Sequence, residues 1–359
     1  MSTGAATSPA AVARDLADRL LVPEAERVDV EGVERATVDA IAAAGLLGLA
    51  GPRGYGGKQA PAPVLREVTE VLAGACGATW FVCTQHASPL HTLSASENVA
   101  LKDRHLRDLC TGGALAGVAL AHLRRPGASA VSATRTPGGW RFDGSVGWAT
   151  SWGLADLLLL AGRSAQGEVV LALLPARAQA GLTASPPMRL AVMQGTCTVA
   201  LAVDGLHVPD ADVAEVARAA DWLEADRVRT ANVTPAVFGL LDTVLRLLGA
   251  AAERRGDRTA ATLADRLGEE AADVRRAAYA LLDHVPAAEQ VEDRLALRAA
   301  SLELAVRATT ALVVATGGGA LSLSAPAQRL AREALFHLVQ AQTPAVRAAT
   351  LDHLLERTA

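Results

Sequence analysis

The residues best suited to bind a flat ligand are an indole and a hydroxyl two positions apart. Trp148 and Thr150 occur in the segment GWRFDGSVGWAT. Residues two apart on a β-strand point to the same side of the sheet, so both side chains can face one ligand. An indole offers a flat apolar wall, and a hydroxyl can hydrogen-bond a ring nitrogen or carbonyl. The alternative is an ordinary core tryptophan with a threonine paired across strands.

Two histidines are candidates for proton transfer. His86 and His91 lie in the segment TQHASPLH. Histidine is the side chain whose ordinary pKa lies closest to neutral pH, which suits it to move protons. The alternative is a surface or capping histidine at the end of a helix.

Two short segments have the composition of anion sites. The first, HLRRPGASA (122–130), carries Arg124 and Arg125, whose guanidinium groups can receive a phosphate or a carboxylate. The second is the triple glycine 317–319, which allows the close backbone approach that pyrophosphate sites require. The alternatives are a solvated arginine turn and a plain connection between helices.

These side chains must be positioned by elements whose hydrophobic period changes twice along the chain. Apolar residues recur three and four positions apart near both ends, as in helices, and with a period near two in the middle, as in strands. Short Gly/Pro turns separate the expected strands, and the pairs in PGG (137–139) and DG (143–144) suit tight reversals. We therefore predict an α+β protein with an N-terminal helical domain (1–113), a central antiparallel β-barrel or sandwich domain (114–214) and a C-terminal four-helix bundle (215–359).

Composition argues against several classes of protein. The net charge is −4 with both signs interspersed, which is not the footprint of a nucleic-acid-binding protein. The four cysteines form no CxxC pair and the eight histidines no HExxH motif, so we expect no metal site. Apolar runs such as LLLLA (157–161) are shorter than a membrane span, and the N-terminus lacks the layout of a signal peptide. We expect a cytoplasmic protein without a membrane or nucleic-acid partner.

Three segments, in order along the chain, resemble the acyl-CoA dehydrogenase superfamily. They are GLLGLAGPRGYGG (45–57), GWATSWGLADLLLLAGR (147–163) and ATGGGALSLSAPAQRLAREAL (315–335). The first is similar to the family's helix and glycine-rich turn, the second to its Trp-x-Thr strand, and the third to its glycine-rich turn before an arginine-bearing helix. The resemblance implies the same helix–sheet–helix fold.

The resemblance also implies a bound flavin, either FAD or FMN. Trp148 and Thr150 would then contact the isoalloxazine ring. Gly317 and Gly318 match the turn that touches the adenosine-diphosphate half of FAD across a subunit interface. Arg258, in ERRGDR, lies near the family's phosphate-binding arginine region.

A substrate-binding segment is implied as well. The family's Thr-Glu-Pro-Gly-x-Gly-Ser-Asp stretch, which lines the flavin and the thioester tail, resembles residues 122–130. Arg124 and Arg125 stand in place of its Thr and Glu, and Ser129 matches its serine. We expect Arg125 and Ser129 to contact the substrate.

The family's catalytic carboxylate has no counterpart here. Its glutamate, which abstracts the α-proton of an acyl thioester, falls on Ala341, and alanine cannot accept a proton. Some members place this base on an earlier helix, but the matching residues 227–230 read RVRT. Glu224 and Asp226 lie slightly upstream and are the candidates for a replacement base.

Three interpretations follow from the resemblance. The first is a flavin-dependent oxidoreductase that oxidises an acyl thioester or a similar activated substrate. The second is a monooxygenase supplied with reduced flavin, because CGATWFVCTQH is similar to that branch of the superfamily, in which a histidine near the ring handles protons; His86 is the candidate. The third is a non-catalytic or half-site subunit that lends its surface to a catalytic paralogue and holds no flavin alone. The family is usually dimeric or tetrameric.

Overall fold

The computed structural model describes residues 8–125, 127 and 129–358. Its first part is a set of helices: α1 (Pro9–Leu16), α2 (Val22–Glu31), α3 (Arg35–Ala43), α4 (Ala62–Ala75), α5 (Gly77–Gln85), α6 (Ala87–Ala95) and α7 (Val99–Thr111). A π-helical turn, Ala17–Leu21, joins α1 to α2. The apolar faces of these helices share one core that includes Ile41, Leu72 and Val82. The amphipathic patterns of the sequence are thus used to build an N-terminal helical domain.

The central part is a single sheet. Its strands are β1 (Ala116–Ala119), β2 (Val131–Thr136), β3 (Gly139–Ala149), β4 (Leu157–Arg163), β5 (Glu168–Pro175), β6 (Leu182–Ala184), β7 (Val199–Pro209) and β8 (Val213–Arg218). The order across the sheet is β6-β7-β3-β2-β4-β5-β8, with β1 also paired to β4. The pairings of β1 and β2 with β4 are parallel and the others are antiparallel. The expected all-antiparallel domain is therefore a mixed sheet, and β8 extends past the boundary predicted at 214.

One of the two predicted reversals exists and the other does not. Thr136 pairs with Gly139 across a two-residue turn, so the β2–β3 hairpin closes at PGG. The DG pair instead lies inside β3, where the register with β7 shifts between Phe142 and Gly144. Gly144 has φ 137, and an added Cβ would lie 2.0 Å from the Ala130 carbonyl oxygen. The glycine is needed there for a β-bulge and not for a turn.

The C-terminal part consists of α8 (Ala219–Ala231), α9 (Pro235–Arg255), α10 (Arg258–His284), α11 (Val291–Thr316), α12 (Pro326–Val339) and α13 (Pro344–Glu356). The side chain of Asp257 accepts hydrogen bonds from the first turn of α10, and Thr343 caps α13 in the same way. Phe238, Leu241 and Leu304 are fully buried between these helices. The long helices α9 to α12 supply the predicted bundle core.

The N-terminal domain and the bundle are packed directly on one another. A Cβ added to Gly239 of α9 would lie 2.0 Å from the Glu70 carbonyl oxygen of α4, and one added to Gly74 would lie 2.5 Å from the Gly239 carbonyl oxygen. Only glycines allow two helix backbones to approach so closely. This close packing places α5 and α6 beside the bundle helices, with the sheet completing the enclosure.

Two helical stretches are long and apolar enough to cross a membrane by length and composition, namely residues 219–255 and 291–321. Core helices of globular proteins meet the same criterion, and α9, within the first stretch, lies in the bundle core. The finding is weak evidence for a membrane.

Candidate functional site

A cavity of about 1720 Å³ lies where the helical domain, the sheet and the bundle meet. Its wall is formed by α5, α6, β3, β8, α8 and α11 together with the C-terminal end of α12. The volume exceeds the roughly 300–1,000 Å³ of an ordinary small-molecule pocket. This central cavity therefore has room for a ring-shaped cofactor and a second small molecule.

Trp148 and Thr150 both line the central cavity, as their spacing predicts. Trp148 lies near the end of β3 with 48% of its surface exposed, whereas Thr150, just past the strand, is 8% exposed. An indole left half open on a cavity wall is unusual, because large aromatic side chains are generally well buried. The arrangement offers an apolar face with a hydroxyl at its edge.

Thr150 begins a ladder of three threonine hydroxyls. Its Oγ1 lies 3.1 Å from that of Thr198, which lies 2.9 Å from that of Thr196, and Thr196 donates to the Met193 carbonyl oxygen at 2.7 Å. A carbonyl only accepts, so Thr196 uses its single proton on Met193. Thr198 must then donate to Thr196, and Thr150 must donate to Thr198. Thr150 therefore presents only oxygen lone pairs to the cavity and can accept a hydrogen bond from a ligand N–H group.

The backbone around this threonine ladder is locked in uncommon conformations. Ser151, Met193 and Cys197 have φ values of 68, 58 and 50, in the left-handed region. The Ser151 amide donates to the Thr196 carbonyl at 2.9 Å, and the Trp152 amide to the Cys197 carbonyl at 3.1 Å. Such backbones cost about 1–3 kcal/mol each and persist only where the surroundings fix them. The loop after β3 is thus held firmly against the segment that carries the rest of the ladder.

A second polar feature of the cavity is a cluster of three arginines around one carboxylate, which we call the arginine cluster. Arg124, Arg229 and Arg298 line the cavity, and Asp226, which does not, is 2% exposed. Arg124 donates to both Asp226 oxygens, from Nε at 2.8 Å and from Nη2 at 3.0 Å, and Arg229 donates to Oδ1. Burial acts to raise the pKa of Asp226, but Arg124 and Arg229 outweigh burial and hold that pKa below its usual value.

Arg298 joins two helix ends. Its Nη1 donates to the Thr230 carbonyl in the last turn of α8, and its Nη2 donates to the Gln340 carbonyl at the end of α12 at 2.7 Å. Carbonyls at helix C-termini are favourable partners for a cation. Nε has no hydrogen-bond partner within the described part of the chain, although the side chain is only 4% exposed. Burial and the nearby Arg124 lower the pKa of Arg298 to about 10, which still leaves the side chain charged at neutral pH.

Comparison with known proteins agrees with this architecture. Residues 7–113 match the family model described as acyl-CoA dehydrogenase, N-terminal domain. The whole chain is similar in structure to butyryl-CoA dehydrogenase from Megasphaera elsdenii, with TM-score 0.81, 18% identity, and coverage of 99% of this chain and 100% of that chain. The family model covers the N-terminal part of the chain, and the whole chain has the acyl-CoA dehydrogenase fold.

Two further solved structures with this fold differ in the reaction that their names describe. Glutaryl-CoA dehydrogenase from Mycobacterium smegmatis matches with TM-score 0.81 and 17% identity, over 96% of this chain and 93% of that chain. Dibenzothiophene monooxygenase from Paenibacillus sp. A11-2 matches with TM-score 0.78 and 18% identity, over 97% of each chain. No curated protein matches the sequence. At such identities the likeness shows the fold, and the reaction must be argued from the site.

The position of the superfamily's base is a turn without a carboxylate. Ala341 lines the cavity with φ 49, directly after the Gln340 carbonyl that Arg298 holds. Glu224 is exposed, does not line the cavity, and pairs with Arg227 at 2.7 Å, which lowers its pKa. Asp226 is fully engaged with two arginines. Neither proposed replacement base has a carboxylate oxygen free to take a substrate proton.

His86 is a structural residue in this geometry. It is 1% exposed, its Nε2 lies 2.9 Å from the Leu109 carbonyl oxygen, and its Nδ1 accepts from the Ala116 amide at 3.1 Å. These two contacts require a neutral ring with the proton on Nε2, and burial lowers its pKa accordingly. The ring joins the end of α7 to β1 and has no nitrogen left for a ligand. His91, by contrast, is an exposed residue of the cavity wall.

The other predicted contacts lie outside the central cavity of this single chain. Arg125 is exposed, and the Ser129 hydroxyl donates to the Val131 carbonyl at 2.7 Å. Pro126 and Ala128 of the same segment lie outside the described residues. Gly317 and Gly318 form an open turn beyond α11, where a Cβ added to Gly318 would meet no atom within 4 Å. Arg258 begins α10 beside a separate shallow hollow.

Sequence reasoning missed the residues that complete the site, namely Thr196, Thr198, Arg229 and Arg298. One signal was present for Arg298: it lies on α11 at the spacing of the buried Leu295, Ala299 and Leu302, where an arginine is out of place on an apolar face. The threonine ladder had no such signal, because the pairing of β3 with β7 brings Thr198 to Thr150.

Proposed function

We propose that the chain is a flavin-dependent oxidoreductase that holds an isoalloxazine ring against Trp148 in the central cavity. The observation that carries the proposal is the half-open indole beside the acceptor oxygen of Thr150, on the wall of a cavity large enough for two ligands. The flavin would supply the redox chemistry. The chain would orient the ring, exclude water from it and place a hydrogen-bond acceptor at its edge. FAD and FMN both present the same ring to this wall.

Dehydrogenation of an acyl thioester lacks a buried carboxylate base on the described part of the cavity wall. That reaction removes an α-proton together with a β-hydride and therefore needs a base within hydrogen-bond reach of the α-carbon. The carboxylates on the described part of the cavity wall are Glu97, Asp210, Glu215 and Asp221, and all four are exposed to solvent. The geometry favours a flavin reaction that does not begin with α-proton abstraction.

We therefore favour monooxygenation on this fold. A substrate R–H, dioxygen and reduced flavin would give R–OH, water and oxidised flavin, with reduced flavin supplied by a separate reductase. The threonine ladder supports this choice, because reduced isoalloxazine carries an N–H group at a ring position that only accepts in the oxidised form. Thr150 presents an acceptor to the cavity and so complements the reduced ring.

A second candidate is a half-site subunit that shares a flavin with a second chain. Gly317 and Gly318 form an open turn away from the cavity, and the exposed apolar residues Val314, Leu321 and Leu323 surround that turn in sequence. Such a surface would suit a dimer or tetramer, or a catalytic paralogue. In that case the chain alone would hold no flavin.

A cytoplasmic location is also part of the proposal.

Flavin binding to the purified chain tests these functions. Oxidised and reduced FAD and FMN are titrated anaerobically while tryptophan fluorescence is followed. We expect reduced flavin to bind more tightly than oxidised flavin. Trp148→Phe should reduce the quenching, although Trp140 and Trp222 also line the cavity. The matched control is Trp152→Phe, since Trp152 is a nearby indole that does not line the cavity.

Two results would redirect the assignment. If butyryl-CoA bleached the bound oxidised flavin without oxygen, the result would support an acyl thioester dehydrogenase instead of a monooxygenase. Absence of flavin binding by the chain alone, with binding after addition of a second chain from the same cells, would establish the half-site subunit.

A further inference from the structure

We propose that Arg298, together with Arg124 and Arg229, forms a binding subsite for the carboxylate of a small-molecule ligand in the central cavity. This inference names the substrate class for the function proposed above and rests on that function. Ala341, which follows the Gln340 carbonyl that Arg298 holds, lines the cavity and carries no carboxylate.

The first argument is the unused hydrogen-bonding capacity of Arg298. A guanidinium has five N–H groups, and those of Arg298 make two hydrogen bonds within the described residues, both to helix carbonyls. Four arginines in the described part of the chain have a buried Nε without a partner, and of these Arg298 is the one that lines the cavity; the others are Arg66, Arg275 and Arg332. Leaving donors of a buried charged group unpaired is costly, and a ligand oxygen in the cavity that bonds to this guanidinium would offset part of that cost.

The second argument is the surplus of charge. The arginine cluster contains three guanidinium groups and one carboxylate, Asp226, whose two oxygens are already bonded to Arg124 and Arg229. The carbonyl partners of Arg298 are neutral. An anion in the cavity would supply the missing counter-charge, and charge-assisted hydrogen bonds to guanidinium groups are the strong class.

The third argument concerns the rest of the ligand. Phe81 and Phe336 line the cavity and pack edge-to-face with ring centroids 4.7 Å apart. Phe336 lies one turn before Gln340 on α12, and Arg298 holds the Gln340 carbonyl. The two aromatic rings and the guanidinium therefore belong to the wall of one cavity. This combination fits a carboxylate on an apolar or aromatic body better than it fits a bare inorganic anion.

Calorimetric titration of the full chain with benzoate and benzamide tests the subsite. The two probes have nearly the same shape and differ in charge. We expect benzoate to bind at least about tenfold more tightly than benzamide, as charge-assisted hydrogen bonds to a buried guanidinium would give. Inorganic phosphate is the third probe, and binding of phosphate but not of benzoate would overturn the carboxylate assignment.

Two neighbouring arginines on α8 form a matched pair of variants. Arg229→Gln removes a cluster member, and Arg227→Gln removes an exposed arginine of the same charge that pairs with Glu224 outside the cavity. We expect Arg229→Gln to weaken benzoate binding about threefold to tenfold, and Arg227→Gln to leave it unchanged. Arg298→Lys keeps the charge but loses the fork that spans two carbonyls and a ligand, so it should cost about tenfold.

Equal affinities for benzoate and benzamide would overturn the subsite, as would equal behaviour of Arg229→Gln and Arg227→Gln. The thermal midpoint of each variant is measured first; if Arg298→Lys fails to fold, the α8 pair decides. Titrations with and without flavin separate the two proposals. Benzoate binding by a chain that binds no flavin would remove the proposed function and retain the subsite, and the reverse pattern would remove the subsite alone.

Discussion

Two groups of buried charges meet the helix α12, one along its length and one at its C-terminal end. Along the helix, Arg329 donates to Glu333 at 2.8 Å and to Glu26 of α2 at 3.0 Å, and Arg332 pairs with Asp29. Each of the two arginines there has at least one carboxylate partner, and we call this set, Arg329, Arg332, Glu333, Glu26 and Asp29, the balanced group. At the C-terminal end, the arginine cluster has three arginines and one carboxylate, and it opens on the central cavity.

The difference between the two groups shows how structural and functional charges can be told apart. The balanced group along α12 leaves no space for a ligand beside Glu333. A Cβ added to Gly77 would lie 2.6 Å from the Glu333 carboxyl carbon. Within the described residues, a buried Nε without a partner occurs in both groups, at Arg332 and at Arg298, whereas the arginine cluster has surplus positive charge and lines a cavity. Charge and access to the cavity therefore distinguish the group that stabilises the fold from the group that can bind a ligand.

The largest effect is expected from breaking the balanced group. Arg329→Met would leave Glu333 and Glu26 without their buried cation, and should reduce the free energy of unfolding by about 3–5 kcal/mol. Chemical denaturation measures the change. The control Arg14→Met removes an exposed pair with Glu67 and should cost at most about 1 kcal/mol. A loss below the control value would contradict the structural role assigned to this group.

The pH dependence of stability probes the surroundings of the arginine cluster. Burial, with the nearby Arg298, lowers the pKa of His337 to about 3 in the folded chain, from about 6.5 when unfolded. The unfolded chain thus binds the proton first, and the stability present above pH 6.5 is lost as the pH falls towards the folded pKa. The expected slope is up to about 1.4 kcal/mol per pH unit. His337→Phe should reduce the slope of this limb, to which the buried His86 and His122 also contribute; an unchanged slope would show that His337 is not buried in its neutral form.

Adding a carboxylate to the arginine cluster should give Arg298 an acidic partner, as the arginines of the balanced group already have. Ala341→Glu places an acid beside the Gln340 carbonyl that Arg298 holds, where it would compete with a ligand anion. We expect benzoate to bind about tenfold more weakly, or about 1.4 kcal/mol, and the thermal midpoint to rise. Ala341→Gln is the neutral control of the same shape. If both variants bind benzoate equally, the charge surplus does not drive binding.

The smallest expected effect comes from the threonine ladder. Thr198→Val removes the acceptor that fixes the Thr150 proton, so Thr150 becomes free to donate to the cavity. The preference for reduced over oxidised flavin, expressed as a difference in binding free energy, should fall by about 0.5–1.5 kcal/mol. Anaerobic titration measures it. Thr134→Val, on the exposed face of β2, is the control. An unchanged ratio would separate the ladder from flavin binding.

The fold was predictable from sequence to the extent that it rests on local patterns. Helical and strand periods gave the order of helix, sheet and bundle, and a spacing of two placed Trp148 and Thr150 on one wall. Pairing across the sheet was not encoded locally, so the parallel pairings of β1 and β2 with β4 and the bulge at Gly144 were missed.

The candidate site was predictable only where its residues are neighbours in sequence. Arg124 and Arg298 lie far apart along the chain and are brought to one cavity by the packing of the sheet against the bundle. The acids at 224 and 226 are alike in sequence, yet the helical turn exposes Glu224 and buries Asp226 against two arginines. Sequence patterns identify residue types, but they do not show which donors and acceptors are already engaged.

The most direct test of the account is a benzoate titration of the chain saturated with oxidised FAD, followed by visible difference spectroscopy. If the Trp148 wall and the arginine cluster serve one cavity, benzoate should produce a saturable change in flavin absorption, and benzamide should produce it only at much higher concentration. The change should require higher benzoate in Arg229→Gln. Calorimetric binding of benzoate without any change in the flavin spectrum would show that the two features belong to separate sites.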